Sequence, residues 1–222
     1  MNKYYKFVVL ISITLVLIGT FIVPIPTIPG LYDKARIIYL HVPLSWIAFL
    51  SFFLSMINSV QYLRKKDLVY DIRSHSAAEV GFLFTILATI TGSLWAKFNW
   101  GSYWNWDPRE TSIFILLLIY GAYFSLRSAI DNYEQKAKLA SVYAIIAFVT
   151  VPFFIFIMPR IVESLHPADT IVDSRGKITM NPVMLSIFLY SLFSFTLLYF
   201  WILNVKIRIE KLKLIRIQKN NI

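Results

Sequence analysis

The sequence predicts an all-α integral membrane protein with six transmembrane helices and both termini in the cytoplasm. Hydrophobic residues make up 58% of the 222 residues and charged residues only 15%, whereas a soluble domain carries about a quarter charged residues. The apolar residues fall into six runs, and each is long enough as a helix to cross a hydrocarbon core, which takes roughly 20 residues. Helices are predicted because backbone in lipid must satisfy its own hydrogen bonds, and the sequence lacks the short alternating segments of a transmembrane barrel.

The six apolar runs give the predicted helices in chain order. The first run follows Lys3 and Lys6, as a signal peptide would, but it is long for a signal and ends at Pro24-Ile25-Pro26 rather than at small residues. We therefore expect a retained helix. The fourth run is the shortest, and we expect its ends to extend into the polar flanks. The predicted spans are approximately 5–23, 39–63, 77–97, 111–127, 139–159 and 183–205.

The start of the third helix carries a capping signal. Ser76 and Glu79 have the spacing of a capping box, which predicts that the third helix begins there. His75 stands next to this signal, so we interpret it as a solvated residue at a helix terminus rather than as a ligand.

The distribution of basic residues predicts the orientation. With a cytoplasmic N-terminus, most of the 22 lysines and arginines lie on the cytoplasmic side, as the positive-inside rule requires. The net charge of +10 is then a topology signal, and no nucleic-acid partner is needed to explain it. The cytoplasmic segments are 1–6, 64–76, 127–138 and 206–222, and the external connections are 24–38, 98–110 and 160–182.

The predicted organisation is a single six-helix domain over residues 1–222. Two segments stand out from it: an external Trp-rich segment at 98–112, between the third and fourth helices, and a basic cytoplasmic tail at 206–222. We interpret the tail as a juxtamembrane stretch attracted to anionic headgroups.

Two of the three histidines are predicted to lie on the external side. His41 stands at the outer end of the second helix, His166 lies just beyond the fifth, and the Trp-rich segment belongs to the same face. The chain has no cysteine, so disulfides, thiolate ligands and thioether attachment to this chain are excluded.

Two histidines beside flat aromatic rings suggest a haem site. Neutral imidazoles ligate haem iron, and two of them complete a six-coordinate centre. Trp and Tyr rings offer rigid packing surface for a porphyrin. The two propionates would suit guanidinium groups near the same surface. The candidate cations are Arg36, Lys97, Arg109 and Arg160.

Each of these features also has a simpler explanation. Tryptophan and tyrosine are enriched at membrane interfaces whatever the function, so an aromatic belt accounts for part of the cluster. The sequence Asp107-Pro108-Arg109-Glu110 is typical of a helix start, with Asp at the N-cap and Pro at the first helical position. Zinc is a further possibility, although the external carboxylates lack metal-ligand spacing.

Several stretches together resemble the haem exporter protein C family of cytochrome c maturation. Trp100-Gly-Ser-Tyr-Trp-Asn-Trp-Asp-Pro-Arg-Glu-Thr-Ser112 is similar to the tryptophan-rich "WWD" signature of haem-handling membrane proteins. Arg36-Ile-Ile-Tyr-Leu-His-Val-Pro43 resembles the segment that holds the family's first external histidine, and Ser164-Leu-His-Pro167 falls where the second should be. Gly92-Ser-Leu-Trp-Ala-Lys97 leads into the signature as in that family. The resemblance extends over nearly the whole chain.

This resemblance implies a set of site residues and partners. His41 and His166 would be the axial ligands of the haem iron, and the cargo would be haem b, held non-covalently and transiently. The expected partners are a membrane-tethered haem chaperone, ATP-binding-cassette transporter subunits, a small single-helix protein and a downstream haem lyase. The residues expected to contact haem are His41, His166, Trp100, Tyr103, Trp104, Trp106, Asp107, Arg109 and Arg36.

The function predicted from the resemblance is haem delivery, without catalysis, at the outer face of a bacterial inner membrane. The alternative is a compact cytochrome c synthase, because the Pro and Glu of the signature also occur in the larger haem lyase and synthase relatives. A b-type electron-transfer subunit fits less well, because such proteins bury their histidine pairs within helices. A permease for another solute also fits less well, because the cores of the apolar runs are almost without charge.

Overall fold

The computed structural model is a bundle of helices, described here for residues 2–26, 31–166 and 177–220. Six helices in these ranges are long and apolar enough to cross a membrane, and the same ranges contain no β-strand. This confirms the predicted fold class; the side on which each terminus lies stays a prediction. The helices are α1 (Lys3–Ile22), α2 (Ile38–Lys65), α3 (Leu68–Trp100), α4 (Pro108–Ser128), α5 (Tyr133–Pro152) and α6 (Pro182–Asn220).

Two helices carry short turns at their ends. A 3-10 turn at Tyr32–Ile37 leads directly into α2. After α5 the chain continues through a π-helical turn, Phe153–Ile157, and a last helical turn, Met158–Ile161. These turns carry the chain from α5 to the segment that contains His166.

The prediction for the start of the third helix was wrong. The helix α3 begins at Leu68, where the Asp67 side chain accepts a hydrogen bond from the Val69 amide at 2.9 Å. Ser76 and Glu79 therefore lie inside the helix and form no capping box. Hydropathy marks only the stretch that lipid can cover, whereas the helix continues beyond it because Asp67 caps it earlier.

The helix α6 also differs from its prediction, because it continues to Asn220 and includes most of the basic tail. Its 39 residues correspond to about 58 Å of helix, roughly twice the thickness of a hydrocarbon core. Lys206 of this extension contacts Glu79 of α3 at 2.9 Å, so the first turn of the tail packs on the bundle. The predicted attraction of the tail to headgroups stays a prediction.

The helices α2 and α3 form the central pair, and small residues let their backbones approach closely. Ser55 and Ser59 of α2 contact Ser74 of α3 through hydroxyl groups at 3.1 and 2.7 Å. A Cβ added at Gly81 would lie 2.8 Å from the ring of Phe52, so this contact requires glycine. Small residues and hydroxyl hydrogen bonds are typical of helix contacts in membranes, and they hold α2 and α3 in fixed register.

A buried ion pair joins α3 and α4 at the end of the bundle opposite the Trp-rich segment. Both terminal guanidinium nitrogens of Arg127 donate to the Asp71 carboxylate, at 2.7 and 3.0 Å. His75 lies nearby inside α3, packs against the rings of Tyr123 and Phe124, and is mostly buried. The interpretation of His75 as a solvated residue at a helix terminus was therefore wrong, because α3 begins seven residues before it.

Candidate functional site

The Trp-rich segment is shaped by the two helix ends that border it. The helix α3 ends at Gly101, whose φ of +83° suits a residue without a Cβ. On the other side Trp106 has a φ of +55°, an uncommon value for a bulky residue. The next residue, Asp107, is the N-cap of α4, and Pro108 is the first residue of the helix. The side chain of Glu110, two residues further on, completes the capping box. The predicted helix start is thus confirmed.

The Asp107 carboxylate also binds the segment that contains His166. It accepts hydrogen bonds from the Ser164 hydroxyl at 2.9 Å and from the Leu165 amide at 2.7 Å. The Nδ1 atom of His166 lies 3.2 Å from Oδ1 of the same carboxylate. With only 3% of Asp107 exposed, one buried side chain fixes both the start of α4 and the position of His166.

The electrostatics of this contact determine which nitrogen of the His166 imidazole carries the proton. Burial alone would raise the pKa of the Asp107 carboxyl, but hydrogen bonds from Arg109, Leu165 and Ser164 outweigh it and place the pKa below its ordinary value. Burial, and then the Arg109 guanidinium, lower the pKa of His166 to about 4. The imidazole is neutral at pH 7, and an ionised carboxylate can only accept a hydrogen bond. Nδ1 of His166 therefore donates, and Nε2 carries the unprotonated lone pair.

Two tryptophans surround the His166 ring. Trp95 of α3 stacks on it with ring centroids 5.4 Å apart, and Trp100 meets it edge to face at 4.8 Å. The two indoles also contact each other at 4.9 Å. The imidazole is thus confined on two sides by rigid rings from the last turns of one helix.

His41 lies at the start of α2 and packs against α3. Its Nδ1 is 3.0 Å from the hydroxyl oxygen of Thr91. A Cβ added at Gly92 would lie 3.0 Å from the ring atom Cε1, so glycine gives the imidazole room against the helix. His41 contacts Thr91, and His166 stacks on Trp95, which lies one turn further along the same helix. The structure therefore brings the two predicted ligands together.

The other predicted aromatic residues make their ring contacts with residues other than the two histidines, within the part of the chain that the structure describes. Trp104 packs edge to face on Trp106 at 5.9 Å and on Phe114 of α4 at 6.2 Å. Trp106 and Tyr103 expose 69% and 57% of their surface. Contact of these rings with a ligand stays a prediction, and their exposure leaves them accessible for it.

The side chain of Arg36 joins the turn before α2 to the end of α1. Its guanidinium donates to the carbonyls of Thr20 and Val23 at the end of α1, both at 2.8 Å, and pairs with Asp33 at 3.0 Å. It also borders a hollow of about 580 Å³, between α1 and α3, that Trp95 shares. Neither His41 nor His166 lines this hollow. A propionate contact for Arg36 stays a prediction, and the contacts with α1 explain its position without one.

Sequence reasoning did not identify three residues of the site. Trp95 entered the sequence analysis only within the stretch Gly92-Ser-Leu-Trp-Ala-Lys97, although its stacking on His166 places it in the site. Thr91 and Ser164 carried no signal, because hydroxyl side chains are common in membrane helices and in loops. Within the described ranges, no group of three or more His, Asp or Glu residues gathers as a metal-ion site, so zinc finds no support there.

Comparison with known proteins gives consistent matches. Residues 1–221 match the family model described as Heme exporter protein C. The chain is 31% identical to Heme exporter protein C of Haemophilus influenzae over 211 residues, which is 90% of this chain and 82% of that protein. It is 32% identical to a ccmC-like mitochondrial protein of cytochrome c biosynthesis from Marchantia polymorpha, covering 78% of this chain and 73% of the relative. Heme exporter protein C of Bradyrhizobium diazoefficiens is 31% identical over 74% of this chain and 62% of its own length.

Proposed function

The chain belongs to the haem exporter protein C family, and from this premise we propose that it binds haem b non-covalently at the outer face of a bacterial inner membrane and delivers it for cytochrome c biogenesis. The observation that carries the proposal is the pair of imidazoles at the Trp-rich end of the bundle. His41 and His166 lie against neighbouring turns of α3, at Thr91 and Trp95, and hydrogen bonds hold the Nδ1 atom of both rings.

The residues of this site fit haem as cargo. Nε2 of His166 is the nitrogen that can ligate iron, because the Asp107 carboxylate occupies Nδ1. Trp95 and Trp100 restrict the orientation of the His166 ring, and the exposed Trp106 ring offers further apolar surface on the Trp-rich segment. Arg109 supplies positive charge for a propionate.

The protein would act by ligation and presentation, without making or breaking covalent bonds in its cargo. His41 and His166 hold the haem iron, and release requires loss of at least one of these bonds. The recipients are a membrane-tethered haem chaperone and then a haem lyase, with ATP-binding-cassette subunits and a small single-helix protein as assembly partners. These assignments rest on the family.

The alternative is a compact cytochrome c synthase, and co-expression separates the two functions. The protein is produced with an apocytochrome c and without other maturation factors. Delivery alone predicts no covalent haem product, whereas a synthase would yield cytochrome with thioether-linked haem. A covalent product would overturn the assignment as a non-enzyme.

The proposed orientation is testable because the chain has no cysteine. Ser102 lies in the Trp-rich segment and Ser128 at the opposite end of α4, and both are exposed. In intact spheroplasts, a membrane-impermeant thiol reagent should label the Ser102→Cys variant and spare the Ser128→Cys variant until the membrane is opened. The reverse pattern would contradict an external haem site.

A further inference from the structure

We propose that Thr91 is a positioning residue that holds the proton of the His41 imidazole on Nδ1, so that Nε2 is the atom offered to haem iron. The inference rests on the proposed function for its purpose. The tautomer itself is a property of the protein without cargo, and it can be measured there.

The argument starts from the single proton of the Thr91 hydroxyl. Its oxygen lies 2.9 Å from the carbonyl of Leu87 and 3.1 Å from the carbonyl of Ala88, the preceding turn of α3. Threonine in a helix commonly donates to such a carbonyl. With the only hydroxyl proton directed there, the third contact, at 3.0 Å to Nδ1 of His41, requires the imidazole to be the donor.

The surroundings of the ring favour the same arrangement. A Cβ added at Gly92 would lie 3.0 Å from Cε1, the carbon between the two ring nitrogens, so α3 packs closely against this edge of the ring. A ring turned by 180° would put a carbon opposite the Thr91 hydroxyl and lose the hydrogen bond. Thr91 therefore selects both the orientation and the tautomer.

The two histidines are held by acceptors of different strength. His166 donates to the ionised carboxylate of Asp107, whereas His41 donates to a neutral hydroxyl. A charged acceptor makes the stronger hydrogen bond and raises the basicity of the imidazole as a ligand. The two axial bonds should therefore be unequal, with the bond from His41 the weaker and the first to yield when cargo is passed on.

The tautomer is tested in the cargo-free protein by ¹⁵N NMR of protein labelled at histidine. The chain has three histidines, so His→Gln variants assign the signals. Wild type and Thr91→Ser should show His41 protonated at Nδ1, and Thr91→Val, which keeps the shape but lacks the hydroxyl, should lose this preference. Thr89→Val is the matched control, because Thr89 makes the same kind of carbonyl contact without touching a histidine. An Nε2-protonated His41 in wild type, or an unchanged tautomer in Thr91→Val, would overturn the proposal.

A haem titration of the same variants tests the purpose of this contact. Removing such a hydrogen-bond partner typically weakens metal binding by about 10- to 100-fold. We expect that loss in Thr91→Val, and wild-type affinity in Thr91→Ser and Thr89→Val. Equal affinity in Thr91→Val and wild type would overturn the role in ligation. If wild type itself bound no haem, the proposed function would fail, while the NMR experiment would still decide the tautomer.

Discussion

Replacement of Asp107 should separate a structural role from a role in haem binding. The buried carboxylate accepts from the Arg109 amide at 2.9 Å, which caps α4, and from Ser164, Leu165 and His166, which fix the second imidazole. Asp107→Ala removes both sets of contacts. Asp107→Ser keeps a good N-cap, but its side chain is too short to reach the His166 segment.

The expected magnitudes follow from these contacts. Loss of the N-cap costs about 1 kcal/mol, so Asp107→Ala should lower the thermal stability in detergent while Asp107→Ser should leave it near wild type. Haem affinity should fall by about 10- to 100-fold in both variants, because both leave the imidazole of His166 without its acceptor. Asn is an intermediate case, since it retains the cap and one acceptor oxygen but loses the charge.

The assay is a haem titration followed by absorbance, paired with a thermal unfolding curve for each variant. The reasoning requires Asp107→Ser to bind haem as poorly as Asp107→Ala while unfolding at a higher temperature. If Asp107→Ser bound haem as tightly as wild type, the contact between Asp107 and the His166 segment would have no role in binding, and the argument would be refuted.

Three further predictions concern other contacts of the bundle. Gly92→Ala should displace the His41 ring, because the added Cβ would lie 3.0 Å from Cε1, and the measured haem affinity should fall with little change in thermal stability. Trp95→Ala should weaken haem binding by removing the ring that stacks on the second imidazole, and a haem spectrum unchanged by it would contradict that role. Asp71→Ala should destabilise the protein by about 3–5 kcal/mol, because Arg127 is left buried without its partner. Thermal unfolding measures this loss of stability, and haem binding at low temperature should persist.

The number and type of the helices could be predicted from the sequence, but not all of their ends. Hydropathy identifies the stretch that lipid covers, and it found six such stretches. It could not show that α3 begins at Leu68 or that α6 continues to Asn220, because those ends are polar and their helical state depends on capping and on packing against the bundle.

The candidate site was predicted in part. The histidines were recognisable because they are rare and flank the Trp-rich segment, and the structure places them against neighbouring turns of α3. The role of Thr91 was not predictable, because it depends on the register between α2 and α3, which small side chains set through tertiary packing. Arg36 looked like a propionate ligand from its place in the sequence, but its contacts are with carbonyls at the end of α1.

The absorbance spectrum of the purified protein with each histidine replaced singly tests the central claim most directly. We predict that wild type binds haem with a six-coordinate, low-spin spectrum, that His41→Ala and His166→Ala each lose this spectrum, and that the double variant binds little haem. His75→Ala is the matched control, because His75 lies at the opposite end of the bundle and should leave the spectrum unchanged. Unchanged haem content and spectrum in the His41→Ala, His166→Ala double variant would contradict the assignment of these two residues as the haem ligands.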